Sequence, residues 1–341
     1  MFTFIVAILT FNIKTNNSFN IKNKQDIAII IIVLVAILRF DVGYDYPVYY
    51  EMAQTFSGIN IDRCEPLSKL IIYIAYCCDS PPLMFVMFGL LSYSFYFSTI
   101  KKYSKDISIS IISFIAFIFV TDLGNIRQSL AVAICFWGYR FIINKSVLKY
   151  IITCIIAMLF HTSAIFAIPI YFLYNKFNIN HFILLILVLA FSFNILIDEF
   201  ATLGLYANYL EVLNDYEGGG IIKYAIIGWL VLFILIDIFH KNLKRNLPFY
   251  FIIIIGTLIP FFLNGHFGGR VARYYLIYLC LLVPNVLYYV KAKMKFVVCS
   301  VLLSYFLVFI YVDYSNTMAL TPYKNVLFIN TENPNFKTKL N

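Results

Sequence analysis

An arginine just after a glycine or asparagine turn, at the start of an apolar segment, is an unusual placement. The sequence has it twice, in Asp122-Leu-Gly124-Asn125-Ile-Arg127-Gln128 and in Gly268-Gly269-Arg270-Val-Ala-Arg273-Tyr274. A helix N-terminus already offers free N–H groups and the positive end of a dipole, so a cation there is disfavoured unless an anion joins it. A guanidinium adds a rigid forked donor. Arg127, Arg270 and Arg273 therefore read as an anion site, most simply for a pyrophosphate, with Arg127 also placed among the catalytic groups. Snorkelling to a surface explains one such arginine more readily than three.

Two further stretches carry groups for proton transfer and sugar contact. The first is Arg39-Phe-Asp41-Val-Gly43-Tyr-Asp45-Tyr46-Pro-Val-Tyr49-Tyr50, followed by Glu65-Pro66. Its carboxylates can serve as a general base, and Tyr46, Tyr49 and Tyr50 can stack on sugar rings. The plainer alternative is a loop leaving a helix, with tyrosine anchors. The second is His161-Thr162-Ser163, in the middle of a long apolar stretch. A histidine there can be an acid, a base or a phosphate ligand, or a satisfied structural residue. Glu65, Asp45 and His161 stand as catalytic candidates in no fixed order. Ser163 lacks the glycine-flanked elbow of a serine hydrolase. No cysteines and histidines have metal-ligand spacing and no nucleotide-binding loop is present, so neither metal nor cofactor is expected.

The elements that must position these groups are membrane helices. The 341 residues are 62% hydrophobic and 13% charged, with a mean hydropathy of +0.85. A soluble domain is about half apolar and a quarter charged, whereas apolar runs near 20 residues suit a hydrocarbon core of about 30 Å. Such runs occur near 2–13, 27–40, 67–78, 81–100, 107–121, 125–143, 148–174, 181–197, 221–239, 247–263, 274–290 and 296–312. The reading is an all-α polytopic protein with about 10–12 transmembrane or re-entrant helices, as a single domain over 1–341. The net charge of +9 is a topology signal, not a nucleic-acid surface.

Most of the 26 lysines and arginines lie in short loops, at 14–24, 101–105, 140–149, 176, 241–245 and 291–295. The positive-inside rule places these in the cytoplasm. The acidic loops 41–66, 198–220 and 264–273 then face outward, and the tail 331–341 is expected to be loose. Parity adds a constraint. Lys149 and Lys176 fall on one side, so 148–174 must cross an even number of times, as a hairpin or a dip. The pair 67–78 and 81–100 must cross an odd number of times, which leaves the short 67–78 interfacial or re-entrant.

At these residues the chain resembles the EpsG family, which includes O-antigen and exopolysaccharide polymerases. Its pattern R-x-x-x-G-x-D-Y-x-x-Y reads here as Arg39 to Tyr49, with Tyr44 where Thr or Ser is usual. E-P reads as Glu65-Pro66. N-x-x-R-Q reads as Asn125-Ile-Arg127-Gln128, one residue shorter. F-H-x-S-A reads as Phe160 to Ala164, and a late arginine pair as Arg270 to Tyr274. The resemblance covers about 40–330 in order. It implies a GT-C-like glycosyltransferase at the periplasmic face of the bacterial inner membrane. Such an enzyme joins undecaprenyl-pyrophosphate-linked oligosaccharide repeats, without nucleotide sugar, and a chain-length regulator protein is a partner to look for. A lipid-linked oligosaccharide flippase and an O-antigen ligase remain as alternatives. The flippase would show paired halves with ionisable groups at the midplane, and neither is evident.

Overall fold

The computed structural model describes residues 21–176, 180, 220–262, 265–316, 320 and 323–328. The expected apolar runs 2–13 and 181–197, most of the loop 198–220 and the tail 331–341 lie outside these residues. The described chain is almost wholly helical. In order come α1 (Ile21–Ile37), β1 (Arg39–Phe40), α2 (Tyr46–Thr55), α3 (Pro66–Cys77) and α4 (Pro81–Tyr103). Next are α5 (Ile107–Gly124), α6 (Ile126–Ile143), α7 (Val147–Met158), the 3₁₀ turn Thr162–Ala167 and α8 (Pro169–Asn175). Then follow α9 (Gly220–Phe239), α10 (Leu243–Phe262), α11 (Gly265–Leu276), α12 (Leu279–Leu287), α13 (Ala292–Asn316) and β2 (Lys324–Asn325).

Among the described residues five helices are long and apolar enough to cross a membrane: α4, α5, α6, α10 and α13. α11 and α12 make a sixth if their bent pair, at 43°, is one span. The chain is a polytopic α-helical membrane protein. Each helix must satisfy its own backbone, because lipid offers no hydrogen bonds. Hydroxyls within the helices follow the same logic. Ser92, Thr99, Ser113 and Thr257 each donate to the carbonyl four residues back.

Two departures from regular helix shape the end of the bundle that carries Arg127. α5 widens to a π-helical turn at Ile115–Phe119. Asn125, at φ −115° and ψ 69°, then breaks the chain, and α6 packs along α4. The second departure is the α7–α8 segment, which turns back on itself. Tyr150 Oη in α7 donates to the Ala167 carbonyl at 3.0 Å. Asn175 Nδ2 at the end of α8 donates to the Ile142 carbonyl at 3.0 Å. Both limbs therefore enter and leave at the end of the bundle where α6 finishes, with residues 159–161 as their tip.

Glycine permits close approach between segments at several places, Gly256 and Gly43 among them. A Cβ on Gly256 of α10 would run into Tyr275 Cβ of α11. Gly43 has φ +115°, and a Cβ there would run into the Leu123 carbonyl at the end of α5. That contact lets the β1–α2 connection lie on the α5–α6 corner. Arg39 fastens it: Nε donates to the Val42 carbonyl and Nη2 to the Leu123 carbonyl, both at 3.1 Å, and Nη1 donates to the Ala36 carbonyl. β1 pairs antiparallel with β2, Arg39 opposite Asn325, and Lys324 Nζ lies 3.3 Å from Asp41.

Candidate functional site

The hairpin tip is completed by α3. Helix ends leave carbonyls and N–H groups without intrahelical partners. Here the first turn of α3 meets the last turn of α7. Leu67 N–H donates to the Leu159 carbonyl at 3.0 Å, and Ser68 Oγ to the Phe160 carbonyl at 2.7 Å. Pro66 occupies the first turn of α3, where its missing N–H costs nothing. Glu65, just before it, is thereby aimed at the tip. Its Oε1 accepts from Thr162 N–H at 2.9 Å, and its Oε2 pairs with Arg127 Nη1 at 2.7 Å.

Arg127 stands in the first turn of α6, as the Asn125 break requires. Besides Glu65 it contacts Cys64 Sγ at 3.3 Å and Tyr49 Oη at 3.5 Å, and its guanidinium lies 5.7 Å from the centre of the Tyr49 ring. Its side chain keeps 19% of its surface open. Burial raises the Tyr49 phenol above its ordinary range, partly offset by Arg127, so the ring remains neutral beside the cation.

His161 sits at the tip with a defined tautomer. Ser163 N–H, which can only donate, reaches His161 Nδ1 at 3.3 Å. Ser163 Oγ lies 2.7 Å from the same nitrogen. Nδ1 therefore accepts, and the ring proton resides on Nε2. Ser163 Oγ is held in turn by Tyr274 Oη at 3.0 Å and Gln128 Nε2 at 3.4 Å. Burial, then the charges of Arg127, Arg270 and Arg273, lower the imidazole to about 3. The neutral ring thus presents an N–H donor, not a basic nitrogen.

Gln128 ties this tip to α11. Its Nε2 donates to the Arg270 carbonyl at 2.7 Å, and its Oε1 accepts from Arg273 Nη1 at 3.3 Å. Arg270 is half-buried, one turn into α11. Arg273 is buried and paired with Asp122 through Nη2, which also donates to Ser129 Oγ at 2.8 Å. Tyr96 Oη donates to the Ser129 carbonyl beneath the pair at 3.0 Å. Arg273 Nε and Asp122 Oδ2 have no hydrogen-bond partner.

Glu65, Arg127, His161, Arg270 and Arg273, named from sequence, thus fall in one neighbourhood built from α3, α6, the hairpin and α11. Tyr49 borders it. Tyr46 and Tyr50 face inward instead. Tyr46 stacks on Phe85 at 4.0 Å between centroids, and Tyr50 packs edge-on to Phe40 at 6.0 Å. Each is at most 2% exposed, so neither ring offers a face to a sugar. Asp45 precedes α2, one turn before Tyr49. Sequence reasoning assigned no role to Asp122, Gln128, Ser163 or Tyr274. The available signal was a carboxylate inside an apolar run, which has to find a cation.

The family model described as the EpsG family matches residues 26–325. No curated protein and no solved structure matches the chain.

Proposed function

The chain belongs to the EpsG family, and we propose on that footing that it is a polysaccharide polymerase. In this reading it is a glycosyltransferase of the outer face of the bacterial inner membrane. It transfers a growing glycan from undecaprenyl pyrophosphate to the non-reducing end of another carrier-linked repeat. The observation that carries the reading is geometric: Glu65 ties Arg127 to the hairpin tip, and Gln128 ties the same tip to Arg270 and Arg273, so three arginines from distant segments share one neighbourhood with His161. A departing pyrophosphate needs such a place.

The acceptor hydroxyl oxygen bonds to the anomeric carbon, and the bond from that carbon to the pyrophosphate oxygen breaks. The electron pair leaves with the pyrophosphate. Arg127 and Arg270 meet the developing charge, and His161 Nε2–H donates to a phosphate oxygen. Preorganised donors of this kind lower the barrier because they need no reorientation as charge grows. Arg273, held by Asp122, acts through Gln128 by fixing the last turn of α11. The proton of the acceptor hydroxyl goes to a carboxylate. Glu65 is the nearest to the arginines, and Asp45 is the other candidate. Tyr49 supplies a ring beside Arg127 for a sugar face.

The test is a gene deletion followed by gel analysis of the lipid-linked glycan, with complementation by wild type and by Arg127→Ala. A single-repeat band that regains a ladder only with wild type is expected. Losing Arg127 should lower polymerisation by about 10²–10³-fold. An unchanged ladder in the deletion, or no repeat attached at all, would overturn the polymerase reading, the latter in favour of a flippase or ligase.

A further inference from the structure

A second collection of cations lies at the opposite end of the bundle from Arg127. α5 runs from Asp106 at that end to Gly124 beside Arg127. Three helix junctions meet there: the α4–α5 connection, the first turn of α10 and the first turn of α13. Each sends a basic residue to the adjacent rings of Tyr288 and Tyr289. Lys105 Nζ lies 5.1 Å from the Tyr288 ring centre and 5.5 Å from that of Tyr289. Arg245 lies 4.7 Å from the Tyr289 ring and donates to its hydroxyl at 2.6 Å. Lys295 Nζ lies 5.9 Å from the Tyr288 ring.

Like charges brought together from three separate helix junctions repel, and carboxylates would relieve that. Among the described residues none of Lys105, Arg245 and Lys295 has a carboxylate oxygen within salt-bridge distance. The neighbouring Asp106 is turned to cap α5, accepting from Ile109 N–H at 3.2 Å. Asp237, the nearest acid in α9, is buried and bound by Asn246 and Tyr250. The positive potential is felt by the phenol: Tyr289 is lowered from its ordinary value, first by the Arg245 hydrogen bond. Both tyrosines remain about half exposed, at 50% and 45%. Tyrosine is the residue of the membrane–water boundary, with an apolar ring and a wet hydroxyl.

We propose that Lys105, Arg245 and Lys295, arrayed on Tyr288 and Tyr289, form a binding site for the phosphate headgroup of an anionic glycerophospholipid. The headgroup supplies the missing negative charge, and its acyl chains lie along the flanking helices. Bound there, the lipid bridges three helix junctions that share no salt bridge among the described residues. Nothing in this site depends on the reaction at the other end.

The test is native mass spectrometry of the full-length protein released from nanodiscs of equal parts phosphatidylglycerol and phosphatidylethanolamine. Wild type should retain phosphatidylglycerol preferentially. Removal of each cation, as Lys105→Gln, Arg245→Gln or Lys295→Gln, should lower that retention about fivefold. Lys145→Gln with Lys149→Gln, at the same end but away from the tyrosines, should leave it unchanged. Equal retention of the two lipids by wild type would overturn the proposal. So would a matching loss in the Lys145/Lys149 control, which would mean general surface attraction. Displacement of the lipid by millimolar inorganic phosphate would show a free-anion site and overturn the lipid assignment.

Discussion

His161 and Ser163 illustrate how one hydrogen bond settles a role that residue type leaves open. From sequence the imidazole was acid, base or ligand. With Nδ1 held by Ser163 it is a donor through Nε2. Its folded value of about 3 lies below the ordinary 6.5, so the fold favours the neutral ring. Its contribution to stability is complete above about pH 6.5 and is lost as pH falls toward about 3. Polymerisation in isolated membranes should therefore show no limb from this residue between about pH 5 and about pH 8. His161→Gln, which keeps an N–H donor, should retain more activity than His161→Ala. Rates for the three proteins across that pH range check both points. The Arg273–Asp122 pair is a separate case at this scale. Asp122→Asn strands a buried guanidinium and should cost about 3–5 kcal/mol. Asp122→Leu with Arg273→Met should regain much of that loss in a denaturation experiment, while the glycan ladder stays absent.

At the scale of elements, the parity of charged loops made the α7–α8 hairpin legible. Two basic ends, at Lys149 and Lys176, cannot flank a single crossing. The hydrogen bonds from Tyr150 and Asn175 show the chain folding back. Cysteine substitutions should therefore label from the same side at Lys149 and Lys176, and from the other side at Thr162. A membrane-impermeant maleimide applied to intact cells and to inverted vesicles reads this directly. What sequence left illegible is equally physical. Tyr46, Tyr49 and Tyr50 share one motif, yet the turn of α2 sends Tyr46 and Tyr50 into the aromatic core and only Tyr49 toward Arg127. A short helix shows no periodicity strong enough to choose between those faces. Asp122 and Arg273 are 151 residues apart, and no local pattern pairs them.

Across the whole molecule, the site has no single home in the chain. Glu65, Arg127, His161 and Arg270 come from four segments, and their spacing is kept by contacts that cross between elements. α3 closes the hairpin tip, Gln128 joins the tip to α11, and Gly256 lets α10 and α11 touch. The polytopic all-α class was plain from hydropathy, because lipid leaves few alternatives. Which helices meet was not, since apolar faces in a bilayer are chemically alike and packing shape decides among them.

The pairing of Arg39–Phe40 with Lys324–Asn325 bears on biogenesis. The first of these strands emerges from the ribosome before nearly every helix described above, and the second after all of them. In between, the nascent chain carries an open backbone edge, and Lys324 has not yet reached Asp41. The clasp can therefore close only after every helix between the two strands has been synthesised. A quality-control protease that recognises unpaired segments would find its handle on chains stopped short of Lys324 and lose it on chains in which the strands have paired.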